Sequence, residues 1–230
     1  MSGNKSEHKF KFHSETIGVL DHEEYKQCMR SDSCVYFHLK RVFDFWFATV
    51  ALVILCIPLL IVMLAIYIDD PGPVLFKQHR VGLNGKIFKI YKFRSMKIDI
   101  NPDLSTGEIK NPDAWITRVG KIIRSYSIDE LPQLFNVLIG NMSLVGPRPL
   151  ILKECDMHEM RNRYGVYSVR PGLTGLAQIK GRDLATAEQK IYWDVKYLES
   201  FGFLCDIMIL LKTVPKVLKR VDVVEGMQKK

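Results

Sequence analysis

The sequence predicts an α+β protein: a mainly helical cytosolic domain with a small β-hairpin, carried on an N-terminal re-entrant membrane helix-break-helix. Three observations predict it. The run from Phe45 to Ile68 contains no charged residue. Two short stretches rich in Val, Ile, Phe and Tyr flank Gly82-Leu83-Asn84-Gly85. The rest shows helical apolar spacing broken by Pro- and Gly-rich connections. The organisation follows: a polar arm (1–38), a membrane segment (39–71) and a cytosolic domain (72–230).

The arm is weakly periodic and mixed in charge. His22, Cys28, Cys34 and His38 within it match no common zinc spacing, so no metal is expected there. The apolar run is 24 residues long, or roughly 36 Å as a helix, enough for a hydrocarbon core of about 30 Å. Pro58 near its middle removes a backbone hydrogen bond at a cost of about 3 kcal/mol, which marks a break. Lys40 and Arg41 precede the run; Lys77, Arg80, Lys86, Lys89, Lys92, Arg94 and Lys97 follow it. A spanning helix carries its excess of Lys and Arg on one side. Here both flanks are basic, so both are expected in the cytoplasm, with a plain span as the alternative.

After the turn Asp69-Asp70-Pro71-Gly72-Pro73, residues 74–80 and 86–93 read as the hairpin strands. Residues 98–113 read as a polar loop. Helices are expected over about 115–124, 128–138, 150–164, 185–198 and 206–220, and a Gly-rich loop over 170–183. The last helix is basic and amphipathic, suited to an anionic lipid surface or to the domain core.

Composition narrows the function. The 230 residues carry 33 Lys plus Arg against 25 Asp plus Glu, a net charge of +8, with 47% apolar residues. That apolar share excludes an intrinsically disordered chain. Five scattered cysteines without CxxC spacing suit a reducing compartment. The basic balance asks for an anionic partner: nucleic acid, anionic lipid or a phosphorylated substrate. No P-loop, GxGxxG, HExxH or GxSxG pattern is present.

The most informative stretch is Ser125–Pro149, SYSIDELPQLFNVLIGNMSLVGPRP. Ser127-x-x-Glu130 has capping-box form, and Pro132 fits a first helical turn. Asp129 and Glu130 therefore sit at a helix N-terminus, where free N–H groups and the helix dipole lower a carboxylate pKa and attract phosphate. Adjacent carboxylates also suit Mg²⁺, which takes oxygen ligands together with substrate phosphates. An ionised Asp can attack phosphorus. A plain helix cap explains the same pair. Lys92 and Arg94 in YKFRSM, Arg148 in GPRP, and Arg170 and Arg182 around the Gly-rich loop supply cations for phosphate.

These stretches together resemble the bacterial sugar transferases, the monotopic phosphoglycosyltransferases that initiate glycoconjugate assembly. The resemblance runs from Lys40-Arg41-x-Phe43-Asp44 through GPVLFKQHRVGLNGKIFKIYKFRSM (72–96), RSYSIDELPQLFNVLIGNMSLVGPRP (124–149) and VRPGLTGLAQIKGRD (169–183). It ends in Trp193-Asp194-Val195-x-Tyr197 and Asp206-x-x-x-Leu210-Leu211-Lys212-Thr213, covering about residues 38–220. It implies transfer of a sugar 1-phosphate from a UDP-sugar to undecaprenyl phosphate, with release of UMP. It also implies a location at the bacterial inner (cytoplasmic) membrane, with the catalytic domain facing the cytoplasm. By resemblance Asp129 is the nucleophile of a covalent phosphosugar intermediate, and Glu130 helps it hold Mg²⁺. Lys92, Arg182 and Asp206 match other active-site positions, and Arg148 and Arg170 are supporting phosphate contacts.

One departure is local: Ile57 stands before Pro58 where the family has Ser. The sugar stays open, as does a homodimer. A basic membrane adaptor and a polyprenyl diphosphate phosphatase are the competing functions. Nucleic acid is not expected as a partner, because the basic residues follow no recognised module.

Overall fold

A computed structural model describes residues 33–98, 114–181 and 185–218 of the chain. Most of the polar arm, with His22 and Cys28, lies outside these residues. So do residues 99–113 of the expected loop, Arg182, and the end of the last expected helix.

The first element, α1 (Ser33–Asp69), begins inside the stretch read as arm. It runs unbroken through Pro58, where the sequence predicts a break. The physical reason is that Pro58 lies on the exposed side. The lost hydrogen bond faces away from the domain, and packing on the other side continues past it. Ala48, Ala51, Leu52 and Leu55 pack with Ile90, Leu134, Val137 and Met142. Beyond the proline, Leu59, Val62, Met63 and Ile66 pack with Phe93 and Ile123. The opposite face is apolar and bare: Trp46, Val50, Val53, Ile57, Ile61, Leu64 and Ile68 are 48–72% exposed. α1 is long and apolar enough to cross a membrane.

Both ends of α1 are bonded to the same domain. Near its start, Lys40 pairs with Asp206, and Asp44 Oδ1 accepts the Leu144 N–H at 3.0 Å. At its end, Asp69 Oδ2 accepts the Val119 N–H at 2.8 Å.

The hairpin forms as expected: β1 (Leu75–Val81) pairs antiparallel with β2 (Ile87–Phe93). Its turn has Asn84 at φ 54° and Gly85 at φ 73°, left-handed positions that Asn and Gly tolerate best. Next come α2 (Arg118–Ser125), a 3-10 turn (Ile128–Glu130) and α3 (Gln133–Leu138). The fully buried Asn136 fastens α3 to β2. It donates to Lys89 O at 2.7 Å and accepts from the Tyr91 N–H at 3.0 Å. Asn136→Leu would strand both backbone groups, at roughly 1–3 kcal/mol each. A lowered midpoint in denaturant melts of the detergent-solubilised protein is the expected result; an unchanged midpoint would show that the amide is dispensable.

The sequence predicts a loop over 170–183. The structure instead has β4 (Gly172–Thr174), parallel to β3 (Ser143–Val145), then α5 (Leu176–Lys180). The glycines serve close approach rather than flexibility: a Cβ on Gly172 would lie 2.1 Å from Gly146 N. α4 (Cys155–Arg163), α6 (Ala187–Glu199) and α7 (Phe203–Leu218) complete the described chain. Val145, Val166, Val169, Ile179, Tyr197 and Ile209 form the core between them.

Candidate active site

The 3-10 turn carrying Asp129 and Glu130 is set by an abrupt reversal after α2. Ser127 takes φ 56°, a left-handed conformation that costs a non-glycine residue on the order of 1 kcal/mol or more. The capping box expected from Ser127 and Glu130 is not formed, since the Ser127 side chain makes no cap. Glu130 turns sideways instead. Its Oε1 lies 2.7 Å from Lys92 Nζ and 3.1 Å from Arg148 Nη2. Lys92 reaches it from β2, and Arg148 from the connection after β3.

Asp129 corrects a second expectation. A helix N-terminus would lower its pKa, but the following helix is only six residues long and burial dominates. The Asp129 carboxyl is pushed up to about 6, first by burial. Glu130 pushes it further, while Lys92, Arg124 and Arg148 pull it back. Burial in turn lowers the Lys92 ammonium, and Glu130 and Asp129 counter that. The result is one carboxylate already neutralised by two cations, next to another that is hard to ionise. A carboxyl with this raised pKa, beside cations that can attract phosphate, makes Asp129 a candidate nucleophile or acid–base residue.

The remaining predicted residues that the structure describes make their contacts apart from this cluster. Arg94 is buried, bonded to the Asp70 carbonyl and 3.5 Å from its carboxylate, so it braces the exit of α1. Arg170 donates to Gly140 O at 3.0 Å and stacks 5.2 Å over Phe37, beside Lys40, Arg41 and Asp44 in a small cleft. Asp206 is buried against Lys40, the Tyr36 hydroxyl (2.7 Å) and the Tyr197 hydroxyl (2.9 Å). It ties α7 to α1. Arg182 lies outside the described residues, and Pro58 sits on the bare face of α1.

Sequence reasoning missed Arg80 and Arg124 as site residues. Arg80 donates to Pro149 O at 3.0 Å and to Gln78 Oε1 at 2.6 Å. Burial, with Arg148 opposing its charge, pushes its guanidinium down to about 10. Strand alternation combined with the hairpin register could have found it. Phe76 faces Lys92, Gln78 faces Ile90 and Arg80 faces Phe88, so 76, 78, 80 and 92 share one side of the hairpin.

The donor set fits Mg²⁺ in a limited sense. Two adjacent carboxylates suffice for an ion that also takes phosphates and waters. Among the described residues no group of three or more His, Cys, Asp or Glu is assembled to hold a metal by itself.

The profile of the family described as bacterial sugar transferase matches residues 35–220. The chain is 42% identical to a protein of Bacillus subtilis (strain 168) named uncharacterized sugar transferase EpsL, over 83% of this chain and 90% of that one. It is 42% identical to the exopolysaccharide production protein PSS of Rhizobium leguminosarum bv. phaseoli, over 79% and 96%. It is also 42% identical to a UDP-glucose:undecaprenyl-phosphate glucose-1-phosphate transferase of Caulobacter vibrioides, over 78% and 69%. The family profile covers every described residue except Ser33 and Cys34: this protein belongs to the bacterial sugar transferase family.

Proposed function

We propose that the protein is a membrane-associated phosphoglycosyltransferase. It moves a sugar 1-phosphate from a UDP-sugar to undecaprenyl phosphate and releases UMP, an initiating step of capsule, exopolysaccharide, O-antigen or glycoprotein glycan synthesis. The observation that carries this is the pairing of Glu130 with Lys92 and Arg148 beside a half-buried Asp129 whose carboxyl is pushed up to about 6. The name of the Caulobacter relative supplies the substrate classes.

In this reading an Asp129 carboxylate oxygen attacks the β-phosphorus of the donor. The phosphoanhydride bond breaks, and UMP leaves with its electron pair. A phosphate oxygen of undecaprenyl phosphate then attacks the same phosphorus, and the carboxylate departs. Lys92 and Arg148 hold Glu130 and face the phosphoryl oxygens, where guanidinium and ammonium groups offset developing charge. Glu130, with Asp129 beside it, would hold Mg²⁺, which supplies further charge neutralisation at the phosphates when bound. One covalent intermediate lets a single phosphate site serve two bulky substrates in turn.

The acceptor's phosphate lies at the membrane surface, so the site needs a shallow anchor. Support for a monotopic α1, lying on one side of the membrane rather than crossing it, comes from its two ends, both bonded to one domain. A helix crossing the bilayer would place them on opposite sides. The bare apolar face then meets lipid, and the catalytic domain faces the cytoplasm at the inner membrane. Leu39→Cys and Pro71→Cys should both label from the cytoplasmic side in intact and permeabilised cells; periplasmic labelling at position 39 would establish a span instead.

The activity test is UMP release by the detergent-solubilised protein with Mg²⁺, undecaprenyl phosphate and a panel of UDP-sugars. Lipid-dependent release with one donor is expected. Phosphate release from polyprenyl diphosphate, without any UDP-sugar requirement, would make the protein a phosphatase.

A further inference from the structure

The segment that carries Arg148 is held carbonyl by carbonyl. Pro147 O accepts the Gly172 N–H at 2.9 Å, and Leu150 O accepts the Val81 N–H at 3.2 Å. Pro149 O accepts from Arg80 at 3.0 Å, and Ile151 O lies 2.8 Å from His158 Nε2. Arg148 O itself accepts from Arg161 Nη1 at 2.7 Å. Five consecutive carbonyls thus have five partners, drawn from β1, β4 and α4. The Arg148 side chain leaves this backbone to reach Glu130.

Arg161 is the unusual partner. It lies on α4, is 3% exposed, and its other terminal nitrogen sits 2.6 Å from Asp194 Oδ2 on α6, where Asp194 is 1% exposed. Burying an ion pair is costly, and well-packed apolar residues often serve stability as well or better. A charged group in this place is best explained by what its second arm does. A planar guanidinium anchored on a carboxylate presents its remaining N–H groups in a fixed direction. Here that direction is the carbonyl of the residue that contacts Glu130.

We propose that Arg161, held in place by Asp194, is a positioning residue that fixes the Arg148 backbone and so aims the Arg148 guanidinium at Glu130 and the donor phosphates. Arg161 touches neither Glu130 nor the reacting atoms; it acts through Arg148. Misplacement of a phosphate-holding group by about 1 Å can cost on the order of a hundredfold in rate, so a remote pair of this kind would have a catalytic signature. The inference rests on the transferase reading above.

A double-mutant cycle tests it, using full-length protein in detergent and UMP release as readout. Arg161→Lys keeps a cation against Asp194 but cannot also reach the Arg148 carbonyl in the same geometry. It should lower kcat/KM by about tenfold or more. In an Arg148→Ala background, where there is no guanidinium to aim, adding Arg161→Lys should change kcat/KM by less than about twofold. Equal losses in both backgrounds would overturn the proposal and make Arg161 a structural residue only. Should Arg161→Lys fail to fold, Asp194→Asn keeps the shape of the pair and enters the same cycle with the same expectations. A wild-type protein that turns over no UDP-sugar would refute the transferase reading, whereas an active wild type with additive losses would refute only this inference.

Discussion

Asp129→Asn is expected to abolish turnover and to make the protein more stable at neutral pH. The first effect follows from replacing a carboxylate nucleophile by an amide; removal of a covalent nucleophile costs at least about three orders of magnitude in kcat. The second follows from linkage. The Asp129 carboxyl titrates near 6 in the fold against 3.8 for the ordinary group, because burial outweighs its cationic neighbours. The folded state therefore binds this proton more tightly than the unfolded chain does. Its stabilising contribution is full below about pH 4 and is lost as pH rises through 6. By pH 7 the ionised carboxylate therefore carries a cost in the folded state. Asparagine escapes that cost. Denaturant melts should place the variant above wild type at pH 7.5, with the gap closing toward pH 4. A variant less stable than wild type at pH 7.5 would mean that Lys92, Arg124 and Arg148 over-compensate burial.

Lys92→Met is expected to move the acid limb of the pH–rate profile upward and to lower kcat at pH 7 by about a hundredfold. Lys92 is the largest of the influences that lower the Asp129 pKa, and it neutralises Glu130 at 2.7 Å. Removing it leaves two adjacent carboxylates facing Arg148 with one cation fewer. Asp129 becomes harder to ionise, so its nucleophilic form requires a higher pH. For wild type the limb of kcat/KM should lie near 6, the position of Asp129 in the fold. For the variant it should lie above that, and part of the lost rate should return at pH 8–9. A limb that stays in place while kcat falls would separate Lys92 from the ionisation of Asp129 and leave it a phosphate contact only.

The parts of the molecule that were legible in the sequence share one property: their signal is local. The apolar run of α1, the hairpin with its Gly-x-x-Gly turn and the Asp129-Glu130 pair can each be read within a few residues. What escaped is non-local. Gly172 and Gly175 look like loop residues until Gly146, far earlier in the chain, is placed against them. Asp206 and Arg170 looked like members of the site. The structure places both against the start of α1, Asp206 on Lys40 and Arg170 on Phe37. The pKa of Asp129 was expected on the wrong side of normal, because the dipole of a six-residue helix is weak beside burial. Arg80 was missed because only the register Arg80↔Phe88 places it on the face of Lys92.

The most direct test of the covalent account is a single-turnover experiment without lipid. Enzyme in excess over its UDP-sugar donor, with Mg²⁺ and no undecaprenyl phosphate, should release UMP in an amount that tracks active enzyme. Peptide mass spectrometry should find the phosphosugar on Asp129, and undecaprenyl phosphate should chase it off. UMP release that starts only when undecaprenyl phosphate is added, with no adduct on Asp129 at any time, would contradict the account and require direct transfer between the two bound substrates.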